Sequence, residues 1–545
     1  MLGTLAITPL WADDPLNFSF FADWPMFGQN PANTANVPLA GIPSGSVKNL
    51  KTKWTFTTGG DVSARAAVVN GVAYFPDWGG NIWAVNANSG TKIWSNQISA
   101  YGLAAGTVSR TSPAVVNGIV YIGTQYVAPA TGKPQPPTGW LLAINAATGK
   151  LLWKMQPTTS NAFPVITASP VVAAGIVFVG MTSNEEFAAA SAAEGGPPYA
   201  CCSARGSVVA VDAIFGLKLW ETFTVPTGNS GGAVWGSNPV VDLERGTVFV
   251  GTGNNYSVPP GYAACIAAHG TNITCQSPDD HADSILALDM FTGRIKWATK
   301  LETWNQTISQ GVTNGSDFWN VDCAFVAAGT SNCPNELVSA TPTAGPDYDF
   351  GSAPNEITYQ TPGGPKTIIG AGQKSGIYYA LDPDAGAELW HTQVGPGSSL
   401  GGMEWGSASD GTRIYVAISN LNGISYPAHS PTLGSAGSWA ALDPGTGAIL
   451  WQVADPNGSI DIGPVAVANG VVYAASMAGV PTAATMFALD ASTGKTLWSF
   501  AAGSSVNAGA TIAGGTVYWG SGYAHLPIPG FTGNTKFYAF SINGQ

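Results

Sequence analysis

Six cysteines and five histidines are the residues best suited to redox or metal chemistry in this 545-residue chain. Their spacing limits what they can do. The cysteines fall in three local pairs: Cys201 with the adjacent Cys202, Cys265 with Cys275, and Cys323 with Cys333. The two wider pairs would each close a small loop, as expected in an oxidising export compartment. A bridge between Cys201 and Cys202 would be strained, because neighbouring Cα atoms lie about 3.8 Å apart and ordinary disulfides prefer more. The alternative at that place is two free buried thiols. No Cys-x-x-Cys-His run occurs, so the chain carries no covalent c-type haem. No histidines fall at a metal-ligand spacing.

The elements that must position any such chemistry come from a repeat. The pattern Ala-x-Asp/Asn-x-x-x-Gly-x-x-x-Trp occurs at Ala84–Trp94, Ala143–Trp153, Ala210–Trp220, Ala287–Trp297, Ala380–Trp390, Ala441–Trp451 and Ala488–Trp498. The Ala-to-Trp distance is ten residues in all seven copies. The Ala-x-Asp segment ends one strand, Asp or Asn caps a tight turn, and Gly supplies a positive φ. The Trp opens the next strand, where it can pack between neighbouring units. Upstream of most copies lie two apolar runs joined by Asn-Gly, as at Asn70-Gly71, Asn117-Gly118 and Asn469-Gly470, which is a hairpin signal. Each unit therefore reads as a four-stranded propeller blade. An eighth unit is split: Phe537-Tyr538-Ala539-Phe540 lacks a following Trp strand, and Leu50–Trp54 supplies a Trp strand without its upstream half. Joining them closes the ring and removes exposed edges. The expected fold is all-β, a single eight-bladed β-propeller over 13–545. Long insertions at 183–205, 256–282 and 302–350 mark a functional face.

Composition agrees with that architecture. Only 10% of residues are charged, while Gly numbers 69 and Trp 19, as in a β protein with many tight turns. The net charge of −12 and the absence of any Lys/Arg cluster exclude a nucleic-acid partner. Residues 1–12, an apolar run ending in Ala12, resemble the end of a secretory signal without its basic start, which points to a periplasmic or secreted protein. No uninterrupted apolar run of about 20 residues follows, so no membrane span is expected.

The repeat resembles the tryptophan-docking repeat of quinoprotein dehydrogenases over about 24–542. Within that group, Trp24-Pro-Met-Phe-Gly-Gln-Asn30, Ser183-Asn-Glu-Glu186, Cys201-Cys202-Ser-Ala-Arg-Gly206, Val234-Trp235-Gly236, Gly251-Thr-Gly-Asn254, Gln373-Lys374-Ser-Gly376 and Gly401-Gly-Met-Glu-Trp405-Gly resemble the polyvinyl-alcohol-dehydrogenase branch. The resemblance implies oxidation of secondary or polymeric alcohols with pyrroloquinoline quinone and a divalent metal. Electrons would pass to an external cytochrome c or similar acceptor. It implies that Trp235 stacks under the quinone plane. Asn254 and Glu185, with Glu186 the alternative to the latter, would ligate the metal, for which hard oxygen ligands suit Ca²⁺. Lys374 would stand beside the reactive C5 carbonyl and Arg110 would pair with a cofactor carboxylate. Thr167 would contribute a hydroxyl, and Cys201 and Cys202 would lie near the cofactor.

One departure concerns the base. Related alcohol dehydrogenases place an Asp in Asp-x-Trp-Asp, and the corresponding segment is Asp317-Phe318-Trp319-Asn320-Val321-Asp322. The base position falls on Asn320, whose amide cannot take the alcohol proton. That role would pass to Asp322, or to Asp317. Asp322 stands where lanthanide-using relatives carry an extra metal carboxylate, so Asn320 and Asp322 are also metal candidates and a lanthanide is an alternative to Ca²⁺. A non-catalytic propeller scaffold and a cofactor-binding sensor are the competing classes. Outer-membrane assembly lipoproteins share the repeat but lack the Cys-Cys pair, Gly-Thr-Gly-Asn and the Lys374 segment.

Overall fold

The computed structural model describes residues 23–38, 42–126, 139–159, 161–185, 188, 199, 202–236, 238–256, 261, 264–265, 268, 277–301, 347–398, 400–426, 433–525 and 530–545. Local turn chemistry builds the strands. Asn70, Asn117 and Asn469 sit at φ 51, 50 and 52°, each followed by Gly71, Gly118 or Gly470 at φ 74 to 76°. Two consecutive positive φ angles make the type I′ turn that matches strand twist. Asp212, Asp289, Asp443 and Asp490 accept the backbone N–H groups of the residues two and three positions on, capping the turn between third and fourth strands.

Eight four-stranded antiparallel blades result. Blade 1 spans 67–97, blade 2 114–155, blade 3 171–223, blade 4 240–300, blade 5 355–393, blade 6 408–454 and blade 7 466–500. Blade 8 takes three strands from 511–542, and its fourth is Leu50–Thr57, which pairs with Lys536–Ile542 so that Thr55 faces Tyr538. First strands touch their neighbours around the ring, blade 1 meeting blade 8, so they line the axis.

The Trp that opens a fourth strand has one job in seven of the eight blades. Its indole lies against the positive-φ Gly of the next blade's turn: a Cβ on Gly90, Gly149, Gly216, Gly293, Gly386, Gly447 or Gly494 would come within 2.7 Å of the neighbouring Trp ring. Its Nε1–H also reaches into that turn. Trp94 donates to Ala146 O (2.8 Å), Trp220 to Met290 O (3.1 Å) and Trp451 to Ala491 O (3.0 Å). The last contact of this series runs from Trp498 to Leu50 O (3.1 Å), which ties blade 7 to blade 8. The motif is therefore an inter-blade bolt.

An N-terminal arm seals the axis at one end. Its carbonyls accept from first-strand N–H groups in succession: Trp24 O from Val68, Pro25 O from Val115, Pro31 O from Val241, Ala32 O from Glu356, Thr34 O from Ser409 and Ala35 O from Val467. Inner-edge donors that would otherwise be buried without partners are thereby satisfied. Arg65 is 1% exposed and pins the arm, its guanidinium donating to Phe27 O, Pro464 O and Val465 O.

Candidate active site

Strand direction brings distant residues to one rim. First and second strands of a blade are antiparallel, so the chain enters the first strand at the same end where it leaves the second. Arg110, Thr167, Trp235, Asp347–Phe350 and Glu404–Trp405 precede the first strands of blades 2 to 6 in turn. Glu185, Asn254 and Lys374 follow the second strands of blades 3, 4 and 5. All therefore share a face.

Lys374 is the centre. It is 7% exposed, and its Nζ lies 2.8 Å from Asp349 Oδ1, 3.1 Å from Asp347 Oδ1 and 4.9 Å from the centroid of Trp235. Burial opposes its charge, but Asp347, Asp349 and Glu404 outweigh that and hold the ammonium well above the usual lysine range. Trp235 Nε1–H donates to Asp349 Oδ2 at 2.8 Å, and Asn254 Nδ2 donates to Asp347 Oδ1 at 3.0 Å. Burial pushes Asp347 up to about 6, against the pull of Lys374.

Glu404 closes the cluster. Both its carboxylate oxygens are buried without a hydrogen-bond partner. Burial pushes it up to about 8; Lys374 and Arg110 pull it back, while Asp349 and Asp347 push it further. A Cβ on Gly351 would lie 2.5 Å from Glu404 Oε2 and 2.7 Å from Trp235 Cζ2, so only glycine lets these groups approach. The next residue, Trp405, holds φ +57°, meets Trp235 edge-on at 5.5 Å, and carries the Arg110 guanidinium 5.0 Å from its ring centroid. Thr167 donates its hydroxyl to Trp235 O at 2.8 Å and lines a small cavity with Arg110 and Trp405.

The donor set can be tested against a cation. Asn254 Oδ1 is buried with no hydrogen-bond partner, the condition expected of a ligating amide oxygen. Glu185 is fully buried, but Tyr199 OH, Ser203 N–H, Ser203 OH and Ala204 N–H all donate to it. A cation at Glu185 would therefore share the carboxylate with these donors. Asn254 fits a hard cation as it stands; Glu185 fits one only with rearrangement of the 199–204 segment.

Among the expected residues, the structure gathers Lys374, Trp235, Asn254, Arg110 and Thr167. Cys202 and Tyr199 pack with Trp235 against Ala233 and Tyr256, which links Glu185 to the same wall through Tyr199. Cys202 and Cys265 are not free thiols. Asp317, Asn320, Asp322, Cys201 and Glu186 lie outside the described residues. Sequence reasoning missed Asp347, Asp349, Glu404 and the contact role of Trp405. The available signal was Asp347-Tyr348-Asp349 just ahead of a blade, a doubled carboxylate in a chain of few charges.

A sequence profile described as outer membrane protein assembly factor BamB matches residues 48–200 and 435–541. The polyvinylalcohol dehydrogenase of a Pseudomonas species is 30% identical over 426 residues, covering 75% of this chain and 56% of that protein. That of a Sphingopyxis species is 30% identical over 429 residues, covering 74% and 55%. The chain thus spans a little over half the length of these relatives. The crystal structure of the quinohemoprotein alcohol dehydrogenase from Comamonas testosteroni superposes with a TM-score of 0.67 at 21% identity, covering 96% of this chain and 81% of that one. The shared architecture is the propeller. Among the described residues no helix is long and apolar enough to cross a membrane.

Proposed function

Because the chain is a homologue of the polyvinyl alcohol dehydrogenases and other quinoprotein alcohol dehydrogenases, we propose that it oxidises alcohols with a bound quinone on the Lys374 face. One observation carries the reading: a buried ammonium held by Asp347 and Asp349, 4.9 Å from the Trp235 ring and linked through Asp347 to an amide whose oxygen is unpartnered. That is an aromatic platform, an electrophilic cation and a vacant hard-ligand oxygen at one place. The substrate class is secondary or polymeric alcohol.

Pyrroloquinoline quinone, when bound, supplies the two-electron acceptor. Trp235 offers its plane to it, Arg110 its guanidinium to a carboxylate and Thr167 its hydroxyl. Lys374 places positive charge where negative charge develops on a reduced carbonyl. Asn254 and Glu185 would hold the metal, Ca²⁺ or a lanthanide. Asp349, its two oxygens held by Lys374 and by Trp235 Nε1–H, is the candidate among the described residues to take the alcohol proton; Asp322 and Asp317 remain the alternatives from the 317–322 segment. A Cys201–Cys202 disulfide would sit beside this wall, with Cys265–Cys275 and Cys323–Cys333 closing outer loops in an exported protein. An external cytochrome c or similar acceptor would remove the electrons.

The test is reconstitution. Quinone-free protein is titrated with pyrroloquinoline quinone plus Ca²⁺, or a light lanthanide, and assayed by dye reduction with secondary alcohols and polyvinyl alcohol. Tight binding and dye reduction are expected. Absence of quinone binding would overturn the reading in favour of a non-catalytic propeller scaffold. Binding without turnover would leave a cofactor-binding sensor.

A further inference from the structure

A second pair of buried carboxylates lies outside the Lys374 cluster, in the connection from blade 6 to blade 7. The segment is Asp455-Pro-Asn457-Gly-Ser459-Ile-Asp461, with oxygen-bearing side chains at every second position and Gly458 at φ +68°. It is not an EF-hand loop, because Gly stands fourth and no Glu follows at the twelfth place. The argument rests instead on unpartnered atoms. Asp461 is fully buried and Asp455 is 3% exposed. Both oxygens of Asp461 and Oδ2 of Asp455 are buried with no hydrogen-bond partner. The two carboxyls lie within hydrogen-bonding range of each other, Ser476 also reaches the Asp455 carboxyl, and neither acid forms an ion pair among the described residues. Burial holds the Asp461 carboxyl well above the usual range, and Asp455 adds to that.

Two facing carboxylates away from water cannot both remain charged without a compensating cation or a shared proton. Asp455 Oδ1 is already used, accepting from Asn457 N–H at 2.5 Å, which leaves Asp455 Oδ2 and both oxygens of Asp461 without a donor. Gly437 permits this approach: a Cβ there would lie 2.9 Å from Asp461 Oδ2. We propose that Asp455 and Asp461 form a divalent-cation site, suited to Ca²⁺ by its hard oxygen donors, which braces the 455–461 loop. Water and neighbouring oxygens complete the coordination that two carboxylates cannot fill. The brace has a local consequence. Ile460 and Ile462 pack in the apolar cluster that also contains Tyr523 and Trp405, so the loop supports the Trp405 wall of the other site.

The experiment uses the full, quinone-free chain after chelation, titrated with CaCl₂ alone and followed by amide hydrogen exchange. An Asn254→Ala background removes the contribution expected at the other site. Ca²⁺ should slow exchange across 455–461 about tenfold or more while blades 2 and 3 stay unchanged. Asp461→Asn and Asp455→Asn should each abolish that slowing. Exchange in 455–461 that ignores Ca²⁺ would overturn the proposal in favour of a shared proton. So would a response in both variants equal to that of the parent. The exchange measurement on the parent decides even where a variant fails to fold.

Discussion

Replacing Glu404 by Gln should stabilise the quinone-free protein, and by an amount set by pH. The carboxyl of Glu404 is buried, both its oxygens lack a donor, and its titration is raised from 4.5 to about 8. For an acid whose folded value is raised, the protonated form is favoured by folding. No penalty exists below the unfolded value near 4.5. It then grows by about 1.4 kcal/mol per pH step and levels off above the folded value near 8. By pH 7 it amounts to about 3 kcal/mol. Glu404→Gln keeps the shape, removes the titration and so removes the penalty. Chemical denaturation at pH 4.5, 6, 7 and 8 measures the difference. The variant should match the parent at pH 4.5 and exceed it by about 3 kcal/mol at pH 7, with the gap widening by about 1 kcal/mol more at pH 8. A variant less stable than the parent at pH 7, or a gap independent of pH, would refute the claim that this carboxyl is an unsatisfied buried acid.

Lys374→Ala should act in the opposite sense, costing about 3–5 kcal/mol at pH 7 because Asp347 and Asp349 lose their counter-charge; the loss should shrink in acid, as denaturation at pH 5 would show. Trp235→Ala should weaken quinone binding at least about tenfold, with Trp235→Phe retaining most of it, since the platform is a ring face; fluorescence titration reports this. Asp349→Asn should lower dye-linked turnover by about 100-fold or more while quinone still binds, whereas the same loss in Asp322→Asn and not in Asp349→Asn would return the base to the 317–322 segment. Gly447→Ala should lower stability by about 2 kcal/mol or more, because φ is +73° and the added Cβ meets Trp390 Cε3 at 2.4 Å; thermal unfolding measures it.

The ring is legible in the sequence because each of its parts obeys a short-range rule. Asn-Gly sets a turn, Asp caps another, and a Trp ten residues past an Ala finds the next blade whatever the intervening loop length. The site is legible only where a local motif carries it. Trp235, Asn254 and Lys374 each lie in a short Gly-containing segment. No such motif carries Asp347 and Asp349: Asp347-Tyr348-Asp349 lacks the Trp-centred pattern that marks the 317–322 segment. Glu404 lies in Gly401-Gly-Met-Glu-Trp405, where no neighbour in sequence marks it as reactive. Its state depends on what faces it, and those groups arrive from blades 2 and 5. No window along the chain contains them together.

That dependence also explains the charge balance of the rim. Asp347, Asp349 and Glu404 are three acids set against Lys374 and Arg110. Fully ionised, the cluster would carry an excess negative charge out of water; burial raises the titrations of Asp347 and Glu404, and the neighbouring acids raise them further against the pull of Lys374. On the proposed reading, a quinone bearing carboxylates would add further negative charge to the same place. Its binding would be favoured by whatever supplies positive charge nearby, a cation on the free oxygen of Asn254 or a proton on Glu404. Cation, proton and quinone would then be linked through one electrostatic balance. The two aspartates keep Lys374 charged, while the acid with no donor of its own, Glu404, is the group left to take up the difference.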